Sequence, residues 1–190
     1  MSSANYNFEP SLEQILQHIS HMTAASDTPA TVIIDGPSGA GKTTLAQLVA
    51  ESWPEQTAVT FHLDDVYPGW EGLAAGSAIS AQLLSYRAQG KPAHWQRYDW
   101  LSGEHAEWNT LDPFRPLIVE GCGALTAATA ESAAVRLWVD APDDLRRLRA
   151  LGRGGEDFDA HWSMWEEQYA QFLERANPVG FATMRVRATR

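Results

Sequence analysis

Cysteine is almost absent from this chain of 190 residues: Cys122 stands alone, so no disulfide can form within it. Lysine is nearly as scarce, with only Lys42 and Lys91, and 24 carboxylates against 14 lysines and arginines leave a formal net charge of −10. A polyanion such as nucleic acid needs a basic surface, so the charge argues against broad nucleic-acid binding. No apolar run approaches the length of a membrane span. Residues 1–9 lack the basic start and apolar core of a signal peptide. A lone cysteine without export signals leads us to expect a cytoplasmic protein with no membrane partner. Internal repeats and long linkers are missing as well. The length and a hydrophobic content of 44% predict one globular domain over residues 1–190.

What is present is most telling at Gly36-Pro37-Ser38-Gly39-Ala40-Gly41-Lys42-Thr43, followed by Thr44. The spelling is G-x-x-x-x-G-K-T, a loop that wraps nucleotide phosphates. Glycines let the main chain turn sharply and bring N–H groups onto phosphate oxygens. Lys42 has the reach for the β- and γ-phosphates, and the Thr43 hydroxyl for Mg²⁺. The flanks suit the motif. Residues 31–35 form a β-branched run that reads as a buried strand, and residues 44–51 read as a helix with Leu45, Leu48 and Val49 on one face.

Elsewhere, residues 11–22 carry a helical stripe, with Ser11 and Gln14 spaced for a capping box. Strands are predicted at 57–63, 116–120, 135–140 and 184–187. Helices are predicted near 80–88, from Pro142 onward, and over 158–175 with a core stripe of Phe158, Trp162, Trp165, Tyr169 and Phe172. Alternating strands and helices imply an α/β fold with a mostly parallel sheet and helices on both faces. Ligands of such sheets bind beyond the carboxyl ends of the strands, where Asp35, Asp64, Glu120 and Asp140 are expected.

Three further patterns bear on chemistry. Asp64, just after the second strand in His62-Leu63-Asp64-Asp65-Val66-Tyr67, suits the carboxylate that takes a proton from an acceptor hydroxyl. Leu117-Ile118-Val119-Glu120 is an apolar strand ending in an acid that could hold Mg²⁺. Arg146, Arg147, Arg149 and Arg153 lie along or just after one helix, with Gly152, Gly154 and Gly155 for a hinge. They predict a lid over residues 142–157 that stabilises transferring charge and excludes water. Residues 64–116, rich in tryptophan and containing Arg97-Tyr98-Asp99-Trp100, are expected to form the acceptor region. The histidines show no metal-ligand spacing.

G-x-x-x-x-G-K-T, L-D-D-x-Y, Y-D-W, I-V-E-G and an arginine-rich lid, in that order, resemble the uridine kinase-like branch of P-loop kinases, with nicotinamide riboside and pantothenate kinases as relatives. The resemblance spans residues 31–175. It implies a P-loop NTPase fold with a five-stranded parallel core, and transfer of the ATP γ-phosphate to a small-molecule hydroxyl with ATP and Mg²⁺ as cofactors. It implies Asp64, Arg149 and Arg153 as catalytic residues, beside the Lys42 of the loop, and Tyr67, Tyr98 and Trp100 around the acceptor with Asp64, where the residues themselves also suggest Arg97 and Asp99. Thr43 and Glu120 fall to the metal. Uridine kinases keep a pyrimidine-reading histidine shortly after Y-D-F; here that place is near Gly103, followed by Glu104 and His105. The 190 residues stop soon after the last predicted strand, so no fused phosphoribosyltransferase domain is expected. Two other readings are compatible with the residues: a nucleoside monophosphate kinase, with Arg87, Lys91, Arg97 or Arg115 for a second phosphate, and a nucleotide-dependent switch.

Overall fold

A computed structural model describes residues 7–24, 28–54 and 57–189, and for residues 154–157 the backbone alone. The first six residues of the stretch inspected for a signal peptide lie outside them. In chain order the elements are β1 (Phe8–Glu9), α1 (Leu12–Thr23), β2 (Thr31–Asp35), α2 (Lys42–Glu51), β3 (Val59–His62), a 3₁₀ turn (Leu63–Asp65), α3 (Leu73–Ala88), β4 (Ala93–Asp99), β5 (Glu104–Leu111), β6 (Leu117–Glu120), α4 (Ala127–Ala130), β7 (Val135–Asp140), α5 (Asp143–Ala176), α6 (Pro178–Phe181) and β8 (Met184–Ala188).

The central sheet has the order β1-β8-β7-β2-β6-β3. Five strands run parallel, and the two-residue β1 adds antiparallel to β8, so the sheet has six strands rather than five. β1 has too few residues to show a periodicity. Strand side chains alternate between faces, and the sequence fills both. Val32, Ile34, Ile118, Leu137 and Val139 meet Ile15 and Ile19 of α1 and Leu45, Ala46 and Val49 of α2 on one face. Ile33, Leu117, Val119 and Trp138 meet Leu83 and Leu84 of α3 and Trp165 and Tyr169 of α5 on the other. At about 1.5–3 kcal/mol for each buried aliphatic or aromatic side chain, these two layers hold the sheet. Ser11 and Gln14 form the capping box of α1.

Two stretches of residues 64–116 depart from the expectation. α3 begins at Leu73, well before residue 80, and carries Gly76 in its interior. A side chain there would meet the Tyr67 ring at 2.4 Å, so the glycine that weakens the helical pattern is what seats Tyr67. β4 and β5 form a separate hairpin that no strand pattern announced. Neither of its faces is cleanly buried, so alternation is blurred. Among the described residues no helix is long and apolar enough to cross a membrane.

The largest departure is α5, one unbroken helical run of 34 residues where two helices were expected. It is not a straight rod. Arg146 bonds Glu166 at 3.1 Å and Arg147 reaches Asp159 at 3.5 Å. In a straight helix, residues 20 apart are separated by about 30 Å. The run therefore doubles back, and the paired positions centre the bend on residues 153–156, beside the glycines. One arm, from Asp143, packs on the phosphate loop; the other, carrying Phe158 to Ala176, packs on the sheet.

Candidate active site

The carboxyl ends of β2, β6 and β3 lie side by side, because Ile34 pairs with Glu120 and Glu120 with His62. That register brings the glycine loop after β2, the acid ending β6 and the 3₁₀ turn after β3 to one place. Gly36 has φ +152°, and a side chain on it would run into the Val139 carbonyl oxygen at 1.9 Å. Gly39 has φ +76°, and a side chain on it would meet the carbonyl oxygen of Arg146 at 2.0 Å. Both positions require glycine.

Asp35 has the structural part of this site. Its buried carboxylate accepts the N–H groups of Gly36 at 2.6 Å, Gly123 at 3.0 Å and Leu125 at 2.8 Å, tying the phosphate loop to the loop after β6. Burial outweighs these bonds and raises its pKa to about 6. Asp140 is not part of the cluster expected at the strand ends. It is exposed, binds the N–H of Ala141 and lines a groove with Arg185 and Arg187 at the β8 edge.

Lys42 is buried, with Nζ donating to the Pro37 carbonyl at 3.0 Å and to Cys122 Sγ at 3.3 Å. Burial opposes its charge, but Cys122, Glu120, Asp35 and Asp64 together hold its pKa above the usual lysine value. Burial raises the pKa of the Cys122 thiol above its ordinary value, against the pull of Lys42. The Thr43 hydroxyl donates to Glu120 Oε1 at 3.1 Å, and His62 Nδ1 lies 2.6 Å from the same oxygen. Burial alone would raise the pKa of Glu120; the His62 bond and the Lys42 charge outweigh it and keep the carboxylate ionised. Among the described residues no three His, Cys, Asp or Glu side chains cluster as a protein-only metal cage. A hydroxyl beside an ionised carboxylate nevertheless fits Mg²⁺, which takes few protein oxygens and completes its shell with phosphate and water.

A first cavity, of 460 Å³ at the phosphate loop, is lined by Ser38, Gly39, Gly41, Lys42, Thr43, Thr44, Gln47, Asp64, Glu120, Cys122, Arg149, Ala150 and Arg153. Gly36, Pro37 and Ala40 are not in its wall. Gly36 packs on Val139, Pro37 offers its carbonyl to Lys42, and Ala40 is fully buried in the core. A second cavity, of 310 Å³, is lined by Ser38, Asp64, Tyr67, Trp70, Trp100, Arg153, Phe158 and Trp165. Ser38, Asp64 and Arg153 line both. Asp64 touches solvent inside this cleft but has protein on most sides. Enclosure and the Glu120 charge raise its pKa, against the pull of Arg153, Lys42 and His62.

Of the residues expected around an acceptor, Asp64, Tyr67 and Trp100 line the second cavity. Tyr67 donates its hydroxyl to the Cys122 carbonyl at 2.7 Å and meets Trp165 edge-on. Trp100 donates its indole N–H to the Asp64 carbonyl at 2.8 Å, so the hairpin tip rests on the segment bearing Asp64. Tyr98 supports the Trp100 ring, edge to face at 5.4 Å, without lining the cavity. Arg97 and Asp99 are not brought in. Arg97 pairs with Glu107 at 2.7 Å on the hairpin surface, and Asp99 accepts the N–H groups of Leu101 and Ser102 in the turn. Arg149 reaches the Gly39 carbonyl at 3.4 Å.

Sequence reasoning did not bring His62, Phe158 and Trp165 to these cavities; Arg146 lies in the arginine cluster and Trp70 in the tryptophan-rich stretch that it did single out. Phe158 and Trp165 were read as core, and they are buried; two helical turns apart on one face, they also form a cavity wall. His62 had a signal only in its place, at the end of a strand next to one ending in an acid. The basic residues considered for a second phosphate lie elsewhere. Arg87 is buried against Thr31 and the carbonyls of Pro29, Asp112 and Pro113, Lys91 bonds Gln89, and Arg115 bonds the Thr57 carbonyl.

Fold and phosphate loop are those of P-loop small-molecule kinases. No family model matches the chain. Among curated proteins it is similar to uridine kinases. That of Latilactobacillus sakei is 24% identical over 173 residues, covering 83% of this chain and 81% of the relative. That of Streptococcus pyogenes serotype M5 is 26% identical over 172 residues, covering 77% and 82%. Two solved structures share the fold. A possible uridine kinase from Bacillus stearothermophilus is 19% identical with a TM-score of 0.61, over 92% of this chain and 98% of that one. A candidate fructose transport system kinase from Silicibacter sp. TM1040 is 17% identical with a TM-score of 0.62, over the same shares.

Proposed function

We propose that this protein transfers the γ-phosphate of ATP, with Mg²⁺, to a hydroxyl of a neutral small molecule, a nucleoside or related metabolite. One observation carries the reading: the phosphate-loop cavity and the aromatic cavity meet at Ser38, Asp64 and Arg153. A donor and an acceptor seated in them would face each other across Asp64. The N–H groups of the loop and Lys42 hold the phosphates. Thr43 and Glu120 hold the Mg²⁺, which neutralises phosphate charge when bound. Asp64 takes the proton of the acceptor hydroxyl, and a raised pKa makes it a better base near neutrality. Arg149 and Arg153 act on the charge of the transferring group from the lid, residues 142–157. Tyr67, Trp70, Trp100, Phe158 and Trp165 enclose the acceptor and exclude water. A neutral acceptor is supported because Arg87, Lys91, Arg97 and Arg115 are all engaged away from this cavity. The similarity to uridine kinases makes nucleosides the first acceptors to try. The lone cysteine supports a reducing, cytoplasmic setting.

The test is a metabolite panel read by ADP release, with Lys42→Ala as the blank. On the acceptor found, Asp64→Asn is expected to lower kcat by about 10²–10⁴, the share of a general base, while nucleotide Kd stays within a few-fold. Near wild-type turnover in Asp64→Asn removes the base assignment. Tight nucleotide binding with no acceptor across the panel favours a switch protein instead.

A further inference from the structure

The kinase reading leaves unused a buried arginine that touches both halves of the site. Arg146 spends all five of its guanidinium N–H donors. Nη1 donates to the Ser38 carbonyl at 3.1 Å and to Glu166 Oε1 at 3.4 Å. Nη2 donates to Glu166 Oε2 at 3.1 Å and to Asp143 Oδ1 at 2.9 Å, and Nε to Asp143 Oδ1 at 3.3 Å. Its guanidinium carbon sits 5.9 Å from the centre of the Trp162 ring. The residue is only 7% exposed.

Each contact belongs to a different part of the machine. Ser38 is in the phosphate loop and lines both cavities. Asp143 opens the first arm of α5. Glu166 is on the returning arm, next to Trp165 in the acceptor wall. A trans peptide points its C=O and N–H in opposite directions. Pinning the Ser38 carbonyl toward Arg146 therefore turns the Gly39 N–H the other way, and Gly39 lines the donor cavity. The main chains of Arg146 and Gly39 are in contact as well. A buried cation between two carboxylates adds little net stability, but it fixes register.

We propose that Arg146 is a positioning residue that interlocks the phosphate loop with the acceptor wall, so that nucleotide on the loop also orders residues 158–169. It acts on the phosphates through Ser38 and on the acceptor through Glu166. The inference rests on the kinase reading. Lysine cannot substitute, having three donors on a single atom in place of a planar fork.

Hydrogen exchange followed by mass spectrometry on the full chain, with and without Mg²⁺ and the non-hydrolysable analogue AMP-PNP, tests this. In the wild type the analogue is expected to slow exchange in peptides of the phosphate loop and also in residues 158–169. Glu166→Gln keeps side-chain shape and leaves the loop untouched. It should keep the loop response and lose about tenfold of the slowing at 158–169. Arg146→Lys should lose the wall response and weaken analogue binding about tenfold. A merely structural arginine would raise exchange equally with and without the analogue and leave the nucleotide-induced difference intact. That result, or a wild-type wall that ignores a responding loop, overturns the interlock alone. A loop that shows no response to the analogue overturns the kinase reading beneath it.

Discussion

Asp35 is fully buried and binds three main-chain N–H groups, which gives it a pH signature distinct from the catalytic chemistry. Its pKa rises from 3.8 to about 6 on folding. Between those values the folded chain holds a proton that the unfolded chain has released. This group's contribution to stability therefore falls as pH rises from about 4 to about 6, by at most ~1.4 kcal/mol per pH unit. Below pH 4 both states are protonated and it contributes no slope. Asp35→Asn cannot titrate and gives up at least one acceptor bond, at a cost of roughly 1–3 kcal/mol. Urea titrations across this window should find Asp35→Asn less stable at pH 4, with the gap to wild type narrowing toward pH 6. A gap that widens would contradict the assignment. Only contacts could reveal this residue's part: the sequence places Asp35 at a strand end, exactly as it places Asp140, which proves to be exposed.

α5 shows how an element can be misjudged from both directions. The glycines at 152, 154 and 155 suggest a break, and the helical run continues through them, yet ion pairs between its ends require a bend there. Glycine permits both, since it costs a helix about 1 kcal/mol relative to alanine without forbidding it. Gly152 has no other atom within 4 Å of where a side chain would stand. Gly152→Ala should therefore stabilise the fold by about 0.5–1 kcal/mol, a rise in Tm of roughly 1–4 °C. If opening of the first arm limits product release, kcat falls while nucleotide Kd holds. Calorimetry and steady-state kinetics on one preparation check both halves; a lower Tm would mean that the alanine meets an obstacle. The β4–β5 hairpin escaped the sequence for a different reason. It is half exposed on both faces, so it has no apolar period, and Trp100 at its tip bonds the Asp64 carbonyl and meets the Trp70 ring edge-on.

At the scale of the whole molecule, ligand binding and folding are linked. A nucleotide that binds only the folded chain stabilises it by about 2.7 kcal/mol at a hundredfold excess over Kd. For a chain of this size that is a Tm increase of roughly 5–10 °C. Mg²⁺ with AMP-PNP should produce it in the wild type, and Lys42→Ala should abolish most of it. An equal shift in Lys42→Ala would place the nucleotide somewhere other than the donor cavity. Arg87 acts at the far end of the sheet, where it binds Thr31 and three carbonyls and ties α3 to the start of β2.

The sequence by itself determined the parts that are local. A phosphate loop is a spelling, because turn geometry and N–H placement depend on neighbours along the chain. Buried parallel strands are apolar runs, and the capping box of α1 is a four-residue pattern. The order of these pieces also determined which acids follow strands. Tertiary structure decided which of those acids share a site. Asp64 and Glu120 converge because β2, β6 and β3 are adjacent in register, while Asp140 ends a strand on the other side of β2. It also decided that Arg146 and not Arg147 is buried, and that Phe158 and Trp165 wall a cavity as well as a core. Those outcomes depend on α5 folding back on itself. Contacts between residues 12 to 20 positions apart on one helical run follow from that bend, and no sequence period records it.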